Sequence, residues 1–182
     1  QEPFPILQDD TQYKKLTSDY VKVEQLGDRE ILSVDPKALE FLAEEALKDV
    51  SFKLRSSHLE KLRKIIDDPE ATDNDRFVAY NLLQNAAVAV EGALPSCQDT
   101  GTAICVAKKG ENVYTGSNDA ESISKGIFNT YQKQNLRYSQ VVPLNMFDEK
   151  NSGSNLPAQI DIYAEEGNAY KFLFLAKGGG SA

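Results

Sequence analysis

The hydrophobic period of the chain changes at Gly92, and that switch restricts it to folds in which helix and sheet occupy separate stretches. Before Gly92, apolar residues recur at helical spacing. Leu39, Leu42, Ala43, Ala46, Leu47 and Val50 follow Asp35-Pro36, a cap residue with proline at the first helical position. Ser57-His58-Leu59-Glu60 reads as a capping box, and its helix carries Leu59, Leu62, Ile65 and Ile66 on one face before Asp68-Pro69. A third helix is predicted over 74–91, with Phe77, Val78, Leu82, Ala86 and Ala89 inward. Ahead of this layer, after eighteen polar and irregular residues, 20–25 and 29–34 read as the arms of a hairpin turning at Leu26-Gly27-Asp28.

After Gly92 the pattern favours strands. Residues 102–108 read as a strand, Lys109-Gly110 as a turn and 112–115 as its partner. One helix interrupts, over 119–135, with Ile123, Ile127 and Tyr131 spaced by four. A loop over 136–157 leads to an alternating strand at 159–164, a turn at Glu166-Gly167-Asn168 and a strong strand at 169–176. The fold class expected is therefore α+β: a helical layer over 36–91 packed on sheet formed by the second half, here residues 100–176.

The chain has 182 residues, 41% of them apolar and 26% charged, enough for one hydrophobic core. Its net charge of −8 argues against nucleic acid as a partner and makes any anion site a local one, built from a few cations or backbone amides. No apolar run is long enough to span a bilayer, and the opening Gln1-Glu2-Pro3-Phe4 has neither a basic start nor an apolar signal core. Two cysteines, Cys97 and Cys105, are too few for a disulfide framework, so a reducing, cytoplasmic location is expected.

The densest polar cluster is Pro95-Ser96-Cys97-Gln98-Asp99-Thr100-Gly101-Thr102, at the entry to the first strand of the second half. It offers a thiolate, an amide and a carboxylate on a loop held by scaffold at both ends. The same residues also suit a hydrogen-bonded turn, and the pattern leaves both readings open. Cys105, between Ile104 and Val106, reads as a buried inert thiol. His58 is the only histidine and reads as a surface residue, which deprives nucleophile schemes of their base. Arg137 has the planar fork that recognises a carboxylate, and serves equally in a surface ion pair. The final Lys177-Gly178-Gly179-Gly180-Ser181-Ala182 suits either a flexible end or a strand-to-helix elbow presenting amides to an anion, and lacks the spacing of a phosphate loop.

Three segments carry a resemblance that runs the length of the chain: LPSCQDTGTA over 94–103, NLRYSQ over 135–140, and NLPAQID over 155–161 together with FLAKGGGSA over 174–182. DPEATDNDRF over 68–77 adds to it. In order and content they are similar to class I fumarases. The resemblance implies reversible conversion of fumarate and (S)-malate by an enzyme holding a [4Fe–4S] cluster on three cysteines, with one iron left open as a Lewis acid. Cys97 matches the first of those cysteines. Gln98 and Asp99 match substrate-contacting residues, with Asp99 the catalytic candidate. Arg137 matches a carboxylate-binding arginine, and Gly180 a glycine whose backbone meets substrate. Cys105 matches no ligand.

In this family the other two cysteines lie in a C-terminal region of the same polypeptide, so residues 1–182 are expected to form part of an N-terminal domain. Its parts would be a segment and hairpin at 1–35, the helical layer at 36–91 and a strand-rich part with the ligand loop at 92–182. By themselves they are expected to lack the cluster and to be inactive. A homodimer is implied for the full-length protein. The α subunit of tartrate dehydratase shares the cysteine-Gln-Asp core and is the nearest competing enzyme. A non-catalytic scaffold or substrate-binding fragment is the alternative of another class.

Overall fold

The structure is a computed structural model and describes residues 12–178. It opens on the expected hairpin, β1 (Val21–Leu26) and β2 (Arg29–Val34), which turns where Gly27 adopts φ 62°. Asp35 then caps α1 (Pro36–Phe52), its carboxylate accepting from the Lys37 N–H at 2.8 Å. Leu39, Ala43 and Leu47 are buried on one face of that helix, as their spacing requires.

The next two helices depart from expectation. α2 (Ser56–Asp67) starts with Arg55 as its N-cap and has no side-chain cap, so the Ser57–Glu60 capping box does not form. A capping box does open α3 (Asp73–Ala89): the Thr72 hydroxyl accepts from the Asp75 N–H at 3.2 Å, and the Asp75 carboxylate accepts from the Thr72 N–H at 2.9 Å. An aspartate, one methylene shorter than the usual glutamate, closes this box. The inward face assigned to α3 holds only in part. Phe77 is 67% exposed, and Val78 and Leu82 are exposed too; of the residues assigned inward, Ala89 is buried and Ala86 half-buried, and Ala79, which was not assigned, is buried as well. The cause is packing. α2 and α3 lie chiefly against each other, and only α1 of the N-terminal helices sits squarely on the core.

The second half forms a three-stranded sheet in the order β7-β3-β8. β3 (Thr102–Gly110) is central, with β7 (Gln159–Glu165) parallel to it and β8 (Tyr170–Lys177) antiparallel. β4 (Val113–Tyr114) does not return beside β3 as a hairpin arm. It joins β2 in parallel, making a second sheet of order β1-β2-β4. The position beside β3 is already filled by long strands on both sides, and a two-residue arm cannot displace them. The turn between β7 and β8 wraps the end of β3. The Gly110 N–H donates to the Ala169 carbonyl and the Asn112 N–H to the Gly167 carbonyl. A Cβ on Gly110 would lie 2.4 Å from the Gly167 oxygen, so this wrap requires glycine. Within the loop over 136–157, β5 (Val141–Pro143) and β6 (Glu149–Asn151) pair in an exposed hairpin that periodicity did not reveal.

α4 (Asp119–Lys133) buries Ile123, Ile127 and Tyr131, as expected, and packs along α1. The core lies between these two helices and one face of the central sheet. Sizes match across that face. Ala103, Cys105 and Ala107 of β3 stand beside Ala176, Phe174 and Phe172 of β8, so small residues leave room for the rings. Tyr170, Phe172 and Phe174 continue as a ladder of rings, with neighbouring centroids 4.2 and 6.2 Å apart. A polar lock fixes the start of α4. Lys109 donates to Asp119 at 2.7 Å and to Thr115 at 2.9 Å, and the Tyr170 hydroxyl donates to Asp119 at 2.9 Å. Burial raises the Asp119 pKa, but the Lys109, Thr115 and Tyr170 donors together outweigh it and hold the carboxyl below its ordinary value.

The approach of α1 to α4 depends on Gly126, where an added Cβ would stand 2.2 Å from the Glu40 carbonyl oxygen and 2.8 Å from the Ala43 side chain. Gly126→Ala is expected to destabilise the fold by about 2–3 kcal/mol, because one helix must shift away from the other. A urea denaturation series reads this as a lower midpoint at unchanged slope.

Candidate functional site

Residues 95–101 complete the connection from α3 to β3 and are tied down at both ends. Near the start, the Ser96 N–H and hydroxyl both donate to the Ser51 carbonyl at the end of α1, at 2.8 and 3.0 Å. The Asn85 side-chain amide donates to the Ser96 carbonyl at 2.7 Å. Near the finish, Gly101 takes φ 63° and packs so closely on the end of β8 that a Cβ would overlap the Lys177 carbonyl oxygen. Between these anchors Cys97 and Gln98 are exposed, and the Asp99 N–H donates to the Cys97 Sγ at 3.4 Å. The sulfur is thus oriented by its own loop while remaining open to solvent.

The segment holding Arg137 is placed by the end of α4. The helix closes with Asn135 at φ 50°, and the Leu136 N–H returns to the Tyr131 carbonyl at 3.1 Å. This is a left-handed helix stop, a conformation asparagine tolerates. Leu136 is buried by it, and Arg137 follows at once. The Thr100 hydroxyl donates to the Arg137 carbonyl, so the cysteine loop and the arginine segment are in contact. Arg137 is exposed, and its guanidinium makes no ion pair among the described residues.

Asn155 joins these parts, and pattern reading did not single it out. It is fully buried at φ 56°, next to the cis Leu156–Pro157 bond. Its Oδ1 accepts from the Ser139 and Gln140 N–H groups at 2.8 and 2.7 Å, while its Nδ2 donates to the Gly101 carbonyl. The Tyr131 hydroxyl donates to the same carbonyl at 2.9 Å. One amide side chain thus ties together the three segments that were separately distinctive in sequence. The available signal was an asparagine beside proline in an otherwise apolar strand entry.

Cys97 and Asp99 face a groove of about 680 Å³ bounded by the end of α1, the first turns of α2 and the edge of β8. Gln98 and Arg137 lie outside its lining. His58, exposed as expected, borders it. Gly180 falls outside the described residues, although Gly178, where the glycine run starts, packs against Gly101. Cys105 is fully buried in β3, and burial, with the Asp161 carboxylate adding to it, pushes its thiol up to about 12. The inert reading stands. Among the described residues no three His, Cys, Asp or Glu side chains gather closely enough to hold a metal ion. The donor set fits one ligand of a thiolate-bound cluster, Cys97, with further thiolates required from outside these residues.

Comparison with known proteins agrees with these segments. The family model described as Fumarate hydratase (Fumerase) matches residues 41–182. The chain is 54% identical over all 182 residues to "Fumarate hydratase class I, anaerobic" of Escherichia coli (strain K12), of which it covers 33%. It is 53% identical over the same span to the protein named as the aerobic form in that strain, again covering 33% of it. With "Fumarate hydratase 1, mitochondrial" of Leishmania major it shares 57% over 175 residues, 95% of the chain and 32% of that protein. The chain spans about a third of the length of the curated relatives it matches. Among the described residues no helix is long and apolar enough to cross a membrane.

Two outcomes follow from the geometry. Iodoacetamide is expected to modify Cys97 in the folded chain and Cys105 only after denaturation, a difference that mass spectrometry of the peptides resolves. Asn155→Ala is expected to lower stability by about 2–4 kcal/mol, since it strands the amides of Ser139 and Gln140 and places alanine in a left-handed conformation. Denaturant unfolding measures it.

Proposed function

The chain belongs to the fumarate hydratase family, and from that premise we propose that the protein of which it forms part reversibly hydrates fumarate to (S)-malate, with Cys97 as a ligand of a [4Fe–4S] cluster. The observation that supports this reading most directly is the placement of Cys97. It is an exposed cysteine whose sulfur accepts a backbone N–H, on a loop that Thr100 and Asn155 join to the Arg137 segment. When bound, such a cluster supplies a Lewis-acidic iron with an open coordination position.

The residues of this chain have separate tasks in that reading. Arg137 takes one carboxylate of the substrate through its planar fork, and Gln98 adds an amide donor. The Asp99 N–H supports the anionic Cys97 sulfur, while its carboxylate orients water or holds a proton beside the substrate carbon. The backbone at Gly180 offers a donor to the charge that builds on the second carboxylate as the proton leaves the adjacent carbon. The thiolates needed beyond Cys97, and the remaining proton-transfer groups, come from the C-terminal region of the same polypeptide, and the full-length protein is a homodimer. Residues 1–182 are accordingly part of an N-terminal domain, and alone they neither assemble the cluster nor turn over substrate.

Anaerobic reconstitution of the complete protein tests the assignment. Cys97→Ser is expected to lose iron content, visible absorption and activity together, because a serine oxygen replaces thiolate poorly at iron. Cys105→Ser is expected to keep the cluster. Arg137→Lys is expected to keep it as well while lowering kcat/KM by about tenfold or more, since the charge remains but the fork is lost. Equal iron loss in the two cysteine variants would remove Cys97 from the ligand set. Unchanged kinetics in the arginine variant would return Arg137 to the surface.

A further inference from the structure

The groove that holds Cys97 carries a charge opposite to that of the chain. The protein is acidic, with 28 carboxylate residues against 20 Lys and Arg. Around the groove the balance reverses: Lys53, Arg55 and Lys61 stand with His58 on its border, and Asp99 is the one carboxylate among its lining residues. Arg55, His58 and Lys61 recur every third residue, so they follow one side of the first turns of α2. Leu62, the buried residue of that helix, forms part of the contact with α3 instead. Lys53 is paired with Asp49 at 2.6 Å, but Arg55 and Lys61 make no ion pair among the described residues. Two cations outside any ion pair among the described residues thus line a cavity that opens on the cysteine.

Arg55 occupies the N-cap of α2, where Ser, Thr, Asp or Asn would satisfy the first amides and a positive charge opposes the helix dipole. The helix N-terminus and the side chains therefore add positive potential at one place, at a cost to the helix. That arrangement suits an anion arriving from solvent. A dicarboxylate approaching these residues, whose net charge is −8, meets repulsion, and a cationic mouth on the groove gives it a local path inward.

We propose that Arg55 and Lys61, with Lys53 and His58 beside them, form a docking rim that draws C4 dicarboxylate dianions into the Cys97 groove before they reach the reacting position. The proposal rests on the fumarate reading of the same site and adds to it the route of capture. The rim acts on encounter and early binding. It touches no reacting atom, so it changes kcat/KM and leaves kcat in place.

Steady-state kinetics on the reconstituted complete enzyme test this, with fumarate as the probe. Arg55→Glu combined with Lys61→Glu is expected to lower kcat/KM about tenfold at low ionic strength, with kcat and cluster absorbance retained. The deficit is expected to shrink toward nothing near 1 M salt, where the screening length is about 3 Å. A monoester of fumarate, carrying one charge, is expected to lose less. Lys22→Glu combined with Lys150→Glu changes net charge equally at exposed positions on β1 and β6, and is expected to alter kcat/KM by less than about twofold. Equal losses in both double variants would show an effect of total charge and overturn the rim. So would an unchanged kcat/KM, or a salt-independent fall in kcat together with cluster absorbance. An unmodified enzyme that binds the cluster but does not hydrate fumarate would instead overturn the underlying reading, and the rim's assigned ligand with it.

Discussion

Most of the site depends on one buried amide. Asn155 has no exposure to water, and its side chain makes three hydrogen bonds to backbone groups of two other segments. Two N–H groups near Arg137 would otherwise be short of partners, where an unmade hydrogen bond costs about 1–3 kcal/mol, and the Gly101 carbonyl would keep only the Tyr131 hydroxyl. An amide side chain offers an oxygen that accepts two bonds and a separate N–H that donates, as this site needs. The residue also sits at φ 56°, a conformation that asparagine accepts more readily than most residues. The conformational cost at one position is therefore offset by the ordering of three loops.

Close approach is the second constraint, and glycine and alanine supply it. Gly126 lets α4 lie on α1, Gly101 lets the cysteine loop meet the end of β8, and Gly110 lets the β7–β8 turn wrap β3. Small residues on β3 accommodate the rings of β8 in the same way. These contacts set the position of Cys97 indirectly. The loop is anchored at Ser96 to the end of α1 and at Gly101 to β8, so the packing of helix on sheet determines where the sulfur stands.

Charge is distributed to the same end. The Lys109–Asp119 pair is largely enclosed and hydrogen-bonded on both sides, which gives it a role in joining α4 to the sheet. Three of the other ion pairs among the described residues have both partners exposed and contribute little to stability. The cations around the Cys97 groove include two, Arg55 and Lys61, with no ion pair among the described residues.

Local pattern carried the sequence reading a long way. The β1–β2 hairpin, α1 with its Asp35 cap, the buried face of α4 and the strand at β8 follow from periodicity and capping, because each is stabilised by neighbours in the chain. Cys97, Gln98, Asp99 and Arg137 were visible as motifs, and the inert burial of Cys105 followed from its apolar flanks. What the tertiary structure decided was pairing and exposure. β4 left β3 for β2, because strand partners are chosen across the whole sheet and not by the nearest turn. The outer side of α3 stayed exposed although its pattern matched a buried face, because burial requires a surface to pack against and α2 covers only one side. Asn155 was invisible as an organiser for the same reason. Its role consists of hydrogen bonds to residues 54 positions away at Gly101 and 15 or 16 away at Gln140 and Ser139, and no local window of sequence contains them.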